Sequence, residues 1–66
     1  MYDNYLKASL EAHKAINIMY MKNSEITQRK IKVLKIRDED IEAFCYLRHG
    51  IRHFRKENIL AVEYIQ

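Results

Sequence analysis

The stretch Ile41-Glu-Ala-Phe-Cys-Tyr-Leu-Arg-His-Gly-Ile-Arg-His-Phe-Arg55 constrains the fold more than any other part of the chain. Ile41, Ala43, Cys45 and Leu47 share one parity and are apolar, while Glu42, Phe44, Tyr46 and Arg48 share the other. Strand side chains alternate with period two, so this run reads as a strand with one buried face. Gly50, the only glycine, follows His49, and the pair supplies a two-residue reversal because glycine reaches positive φ without steric cost. The return run Ile51-Arg-His-Phe-Arg55 carries cations on both faces. The segment is predicted to be a β-hairpin with a cationic, partly aromatic surface.

Length limits what can surround this hairpin. A chain of 66 residues is one domain. It buries only about 60% of its unfolded surface, and such cores rarely yield more than about 3–5 kcal/mol. The single cysteine excludes an internal disulfide and leaves too few thiols for a zinc site. Cys45 falls on the apolar parity and reads as a small buried hydrophobe. A partner subunit, most simply a homodimer, is the remaining source of stability. The opening Met-Tyr-Asp-Asn-Tyr-Leu lacks the regions of a secretory leader, and no apolar run approaches the roughly 18 residues of a membrane span. A cytoplasmic protein without a membrane partner is expected.

The period changes along the chain. Residues 3–14 read as a helix, with Asp3 or Asn4 as cap, Lys14 near its end, and a narrow stripe of Tyr2, Leu6, Ser9, Leu10 and His13. Residues 15–21 alternate Ile16, Ile18, Tyr20 against Asn17, Met19, Met21, a strand with both faces largely covered. Lys22 to Glu25 is a polar turn in which Asn23 suits left-handed geometry. Residues 26–36 form the next strand, but Ile31 and Val33 share one parity while Leu34 and Ile36 share the other. Such a slip predicts a bulge or sharp coil. Asp38-Glu39-Asp40 turns the chain into the hairpin strands 41–48 and 51–55. Lys56-Glu57-Asn58 makes one helical turn before a closing strand, 59–65, with Leu60, Val62 and Tyr64 on one face. The sum is mainly β (α+β): an N-terminal helix followed by a five-stranded, strongly bent barrel of the Sm or SH3-like kind.

The run Ala43-Phe44-Cys45-Tyr46-Leu47-Arg48, then Ile51-Arg52-His53-Phe54-Arg55, then Ile59, resembles the C-terminal half of WYL domains. That family shows an aromatic-Cys-x-Leu-Arg run, a short turn, Arg-Thr-Phe-Arg and Asp-Arg-Ile. Upstream, Ala15-Ile16 and Tyr20 match the family's helix end and first strand, and Arg29 matches an arginine of its second. The resemblance covers about residues 12–62, with its specific motifs in 43–59. The Trp-Tyr-Leu tripeptide would fall near Glu39-Asp40-Ile41, so its aromatics are absent. His53 replaces the threonine, Glu57-Asn58 replaces Asp-Arg, and the second strand lacks the common proline. The resemblance implies an Sm-like barrel and a role in transcriptional regulation or phage defence, through binding of nucleic acid or nucleotide-like effectors. The N-terminal dozen residues are too short for the helix-turn-helix that usually precedes WYL domains. A small stand-alone version, acting alone or beside a DNA-binding regulator, is therefore expected.

The net charge of +3 is unevenly spread. Arg29, Lys30, Lys32, Lys35 and Arg37 form one acid-free run, and Arg48, Arg52, Arg55 and Lys56 another, which suits a polyanionic partner. Arg48, Arg52 and Arg55 are the first candidates, because guanidinium forks grip phosphates. Phe54 or Tyr46 beside them could stack a base, and His53 could add a donor as pH falls toward about 6. Arg52 and Arg55 have opposite parity, so all three meet only if the strand coils. In the competing structural reading, Arg52 pairs with Glu42 across the hairpin and Phe54 lies in the core. A metal site at Cys45, His49 and His53 lacks a fourth ligand. No nucleophile–base set or glycine-rich phosphate loop stands out, so neither an enzyme nor a cofactor is expected. Two functions follow. One is a regulatory domain binding single-stranded nucleic acid or a nucleotide effector. The other is a protein-interaction module using the helix, the methionines and a strand edge.

Overall fold

The computed structural model describes residues 2–65. Helix α1 (Asp3–Ala12) is followed by β1 (Ala15–Lys22), β2 (Glu25–Arg37), β3 (Asp40–Cys45), β4 (Gly50–Arg55), a 3₁₀ turn (Lys56–Asn58) and β5 (Ile59–Tyr64). The strands form one sheet in the order β4-β3-β2-β1-β5, with all neighbours antiparallel. Its edges, β4 and β5, are linked by the 3₁₀ turn and are not paired to each other among the described residues. The sheet is curled but open, where the sequence suggested a barrel.

The curl is visible in side-chain contacts. In a flat sheet, β4 and β1 would lie three strand spacings apart, about 14 Å. Instead the rings of Tyr20 on β1 and Phe54 on β4 meet edge-to-face at 5.0 Å, and the Arg55 N–H donates to the Tyr20 hydroxyl at 3.0 Å. Two bulges bend the sheet. One interrupts the β2–β3 register between Val33 and Lys35, where the parity slip lies. The other interrupts β1–β5, where Met19 opposes Ala61 but Tyr20 opposes Ile59. Leu60 is thereby displaced outward, and Ile59, rather than Leu60, is buried.

The concave face holds the core: Ile16, Ile18 and Tyr20 of β1, Ile31 and Val33 of β2, Ile41, Ala43 and Cys45 of β3, Phe54 of β4 and Ile59 of β5. Helix α1 adds Leu6 and Ser9 and packs chiefly against β2. The chain has one helix for two sheet faces, so the convex face of β1 stays open. Met19 and Met21 are exposed there, contrary to the expectation of a strand covered on both sides.

Helix α1 is shorter than its stripe implied. His13 takes left-handed geometry as C-cap (φ 55°), which leaves both it and Lys14 beyond the helix and exposed. Neither Asp3 nor Asn4 is the N-cap; that residue is Tyr2, and no side chain caps the end. Asp3 occupies the first turn, where its charge complements the helix dipole, and accepts a hydrogen bond from Lys56 Nζ at 3.0 Å. The Lys56 ammonium holds the Asp3 carboxyl below the usual range. At the other end Ser9 bridges two elements. Its hydroxyl accepts the Val33 N–H at 3.0 Å beside the β2 bulge and donates to the Lys14 carbonyl at 2.6 Å.

The hairpin also departs from its predicted form. Cys45 pairs with Gly50, so β3 ends at Cys45 rather than Arg48, and four residues, Tyr46–His49, make the turn. Positive φ falls on His49 (53°) and not on Gly50. This register sets Phe54 opposite Ile41 and so delivers its ring to Tyr20. The β1–β2 turn follows expectation, with Asn23 left-handed (φ 52°) and Ser24 beside it.

Replacing Ser9 with Ala strands a buried N–H and the Lys14 carbonyl. The variant is expected to lose about 1–3 kcal/mol of stability. Urea denaturation measures this, and an unchanged midpoint would show that Ser9 does not carry the helix–sheet bridge.

Candidate polyanion-binding groove

The inward-facing rows of three strands change character towards the same part of the concave face. On β1 the row runs Ile16, Ile18, Tyr20, then Lys22. On β2, read backwards, it runs Val33, Ile31, then Arg29, and on β4, Phe54, then Arg52. Period two compels these placements: a lysine or arginine that continues an apolar row must point the same way as the core residues before it. Where the row ends in a cation, the core opens into a groove of about 460 Å³.

Lys22, Arg29, Arg48, Arg52 and Arg55 line the groove with His53, Asn58, Tyr20, Phe54 and Cys45, and no carboxylate lies among them. Arg48 reaches it from the Tyr46–His49 turn, which joins the convex to the concave side. Lys22, Arg48 and Arg52 make no ion pair among the described residues. Arg29 is half-buried, and its Nε donates to Thr27 Oγ1 at 3.2 Å, which fixes the guanidinium beside the opening. Arg29, Arg48 and Arg52 share the groove without an ion pair, while Lys22 has Glu25 as its register partner and Arg55 is paired with Glu57, so an entering anion gains most from the three unpaired guanidinium groups.

Most of the residues singled out from sequence gather here. Arg48, Arg52, Arg55, His53, Phe54 and Arg29 all line the groove; Tyr46 does not. Tyr46 lies across the turn, edge-to-face with Phe44 at 5.1 Å and under the Lys30 ammonium at 5.0 Å. Phe54 is buried in the floor with its ring against Tyr20, as the structural reading of that residue had it, and presents no free face for a base. Arg52 opposes Ala43, whereas Glu42 opposes His53, so the Arg52–Glu42 pair does not form. Arg55 and His53 have the outward parity, and both are engaged on the rim. Arg55 Nε donates to Glu57 Oε1 at 3.0 Å, and His53 Nδ1 lies 3.0 Å from Asp40 Oδ2. His53 thus faces carboxylates rather than the groove's centre.

Tyr20, Lys22, Cys45 and Asn58 also line the groove and are not among the candidates read from sequence. Lys22 continues the parity of Ile16, Ile18 and Tyr20, although the sequence places it in a polar turn. The Tyr20 hydroxyl ties the β4 backbone to β1 and so holds the groove's two sides together. Tyr20→Phe keeps the ring and removes the acceptor. It should cost about 0.5–1.5 kcal/mol and speed amide exchange at Arg55 in NMR; unaltered exchange there would show that the bond does not hold the rim.

Neither a family model nor a curated protein matches the chain. Among solved structures it is similar to proteasome accessory factor B/C (PafBC) of Arthrobacter aurescens, with a TM-score of 0.81 and 20% identity. The match covers 94% of this chain and 11% of PafBC, so the chain spans about a tenth of that protein's length. At this identity the likeness shows the fold alone, a helix with a curled five-stranded antiparallel sheet.

Proposed function

We propose that the protein is a non-catalytic, WYL-like regulatory domain whose cationic groove binds a phosphate-bearing polyanion, either single-stranded nucleic acid or a nucleotide effector, and thereby modulates transcription. The observation that carries this reading is the conversion of inward apolar rows into Lys22, Arg29 and Arg52, with Arg48 beside them and no carboxylate in the lining. Lysine and arginine are ordinarily placed on outward faces, where their charges stay solvated. On three strands the inward parity ends in a cation where the concave face opens, Arg29 half-buried and Lys22 and Arg52 exposed, which suits a groove that admits an anion. The transcriptional part of the reading rests on the WYL resemblance at residues 43–59.

A second reading is supported by the convex face. Met19, Met21 and Ile26 are 37%, 38% and 56% exposed, and β5 is an open edge. These features suit a protein-interaction module that forms a homodimer or docks on a partner. Salt separates the two readings, because polyanion binding weakens steeply with ionic strength and apolar association does not.

Arg52→Ala provides the direct test. Fluorescence anisotropy with labelled single-stranded DNA and RNA should show affinity falling by about tenfold, as for loss of one charge-assisted contact. The salt slope should shallow by about 0.7, with the circular dichroism spectrum unchanged. Equal affinity of the variant and the native protein would remove Arg52 from the site.

A further inference from the structure

The outward row of β2 forms a second cationic line on the opposite side of the sheet. Lys30 and Lys32 point outward by parity, and the bulge at Leu34 resets the row so that Lys35 and Arg37 also lie outward. The two halves of this line have different neighbours. Lys35 opposes Glu42 and Arg37 opposes Asp40, so that end faces carboxylates. Lys32 opposes Phe44 on β3 and Ala15 on β1, and Lys30 opposes Asn17. Its ammonium lies over the Tyr46 ring. Beyond Phe44 comes Ile51 of β4, which is 56% exposed. The nearest acid across the strands from Lys30 is Glu63, which opposes Asn17 on β5. Lys30, Lys32, Phe44, Tyr46 and Ile51 therefore form a patch that is both basic and aromatic, with no carboxylate directly opposite either lysine.

The patch is continuous with the groove through the Tyr46–His49 turn. Tyr46 stands on the convex side and Arg48 in the groove, with only Leu47, itself 65% exposed, between them in sequence. We infer that the ligand is an extended single strand of nucleic acid, which passes from the groove over this turn and lays further nucleotides on the Lys30–Lys32–Phe44–Tyr46 patch. This inference rests on the groove binding a phosphate-bearing ligand. A mononucleotide would occupy the groove and leave the convex patch unused. A strand uses both, because it carries phosphates along one side and stackable rings along the other, and the patch sets a row of lysines, Lys30 and Lys32, beside a row of rings, Tyr46 and Phe44.

The test compares labelled oligothymidylates of three and twelve nucleotides on the native protein, Lys30→Gln/Lys32→Gln and Arg52→Ala. The 12-mer is expected to bind the native protein about tenfold more tightly than the 3-mer, as for one further stacked base. The double lysine variant should lose that advantage, with a salt slope shallower by about 1.4 on the 12-mer, and should bind the 3-mer as the native protein does. Arg52→Ala should weaken both. Equal native affinity for both lengths would overturn the strand path while leaving the groove in place. Failure of both lengths to bind even at low salt would overturn the groove reading for nucleic acid, and this inference with it.

Discussion

The structure depends on the contact between Tyr20 and the end of β4. A five-stranded antiparallel sheet left flat would expose one apolar face that a single ten-residue helix cannot cover. Curling solves this by folding the sheet over itself, so that Phe54 covers Tyr20 and the core rows of β1 and β4 face each other. The Arg55 N–H to Tyr20 hydroxyl bond adds direction to what is otherwise a non-directional burial, and it ties an edge strand to a strand three positions away. The groove follows from the same contact. With β4 turned in, Arg52 comes to face Lys22 and Arg29; in a flat sheet these groups would be dispersed along a solvated surface.

The bulge in β2 and Ser9 show how a small domain manages the cost of that curvature. A bulge disrupts the ladder locally, and beside it the Val33 N–H is buried. The hydroxyl of Ser9 accepts a hydrogen bond from that N–H and donates one to the Lys14 carbonyl, where the chain leaves the helix. One side chain thus satisfies the sheet's irregularity and the helix end together. In the sequence Ser9 looked like a weak member of an apolar stripe. Its position on the stripe was right, and its chemistry was the reason for it: a purely apolar residue there would leave the buried Val33 N–H and the part-buried Lys14 carbonyl without this partner.

What the sequence disclosed and what it hid divide along physical lines. Local signals were legible: the helix, the parity slip at Val33–Leu34, the left-handed Asn23 and the single helical turn at Lys56–Asn58. Each is written in consecutive residues. The turn at Tyr46–His49 was hidden because the hairpin register is set at a distance, by where Phe54 must sit to meet Tyr20, and that register moved the left-handed position from Gly50 to His49. The second bulge was hidden because Leu60, Val62 and Tyr64 alternate without fault, and only pairing with β1 turns Leu60 outward. Among the site residues, the arginines were found by charge and by family resemblance, while Lys22 required following the parity of β1 past its last apolar residue. Tyr46 was misplaced for the converse reason. It is near Arg48 in sequence, but the turn between them crosses from one face of the sheet to the other.

The placement of the cations sets stability against binding. Apolar burial is scarce in this domain, where eleven apolar side chains are buried in the core among the described residues, and the half-buried position given to Arg29 does not add to it. Of the three cations, Arg29 is half-buried, whereas Lys22 and Arg52 are exposed at the open end of the concave face. Arg29 and Arg52, unlike Arg55 and Lys56, make no ion pair among the described residues, and Lys22 makes none with its register partner Glu25, so charge at the open part of the concave face is only partly compensated. An anion in the groove supplies that compensation to all of them at once. Occupancy should therefore stabilise the curled sheet at the junction of β1 with β4, whose residues line the groove. That couples ligand binding to the Tyr20 contact on which the fold depends.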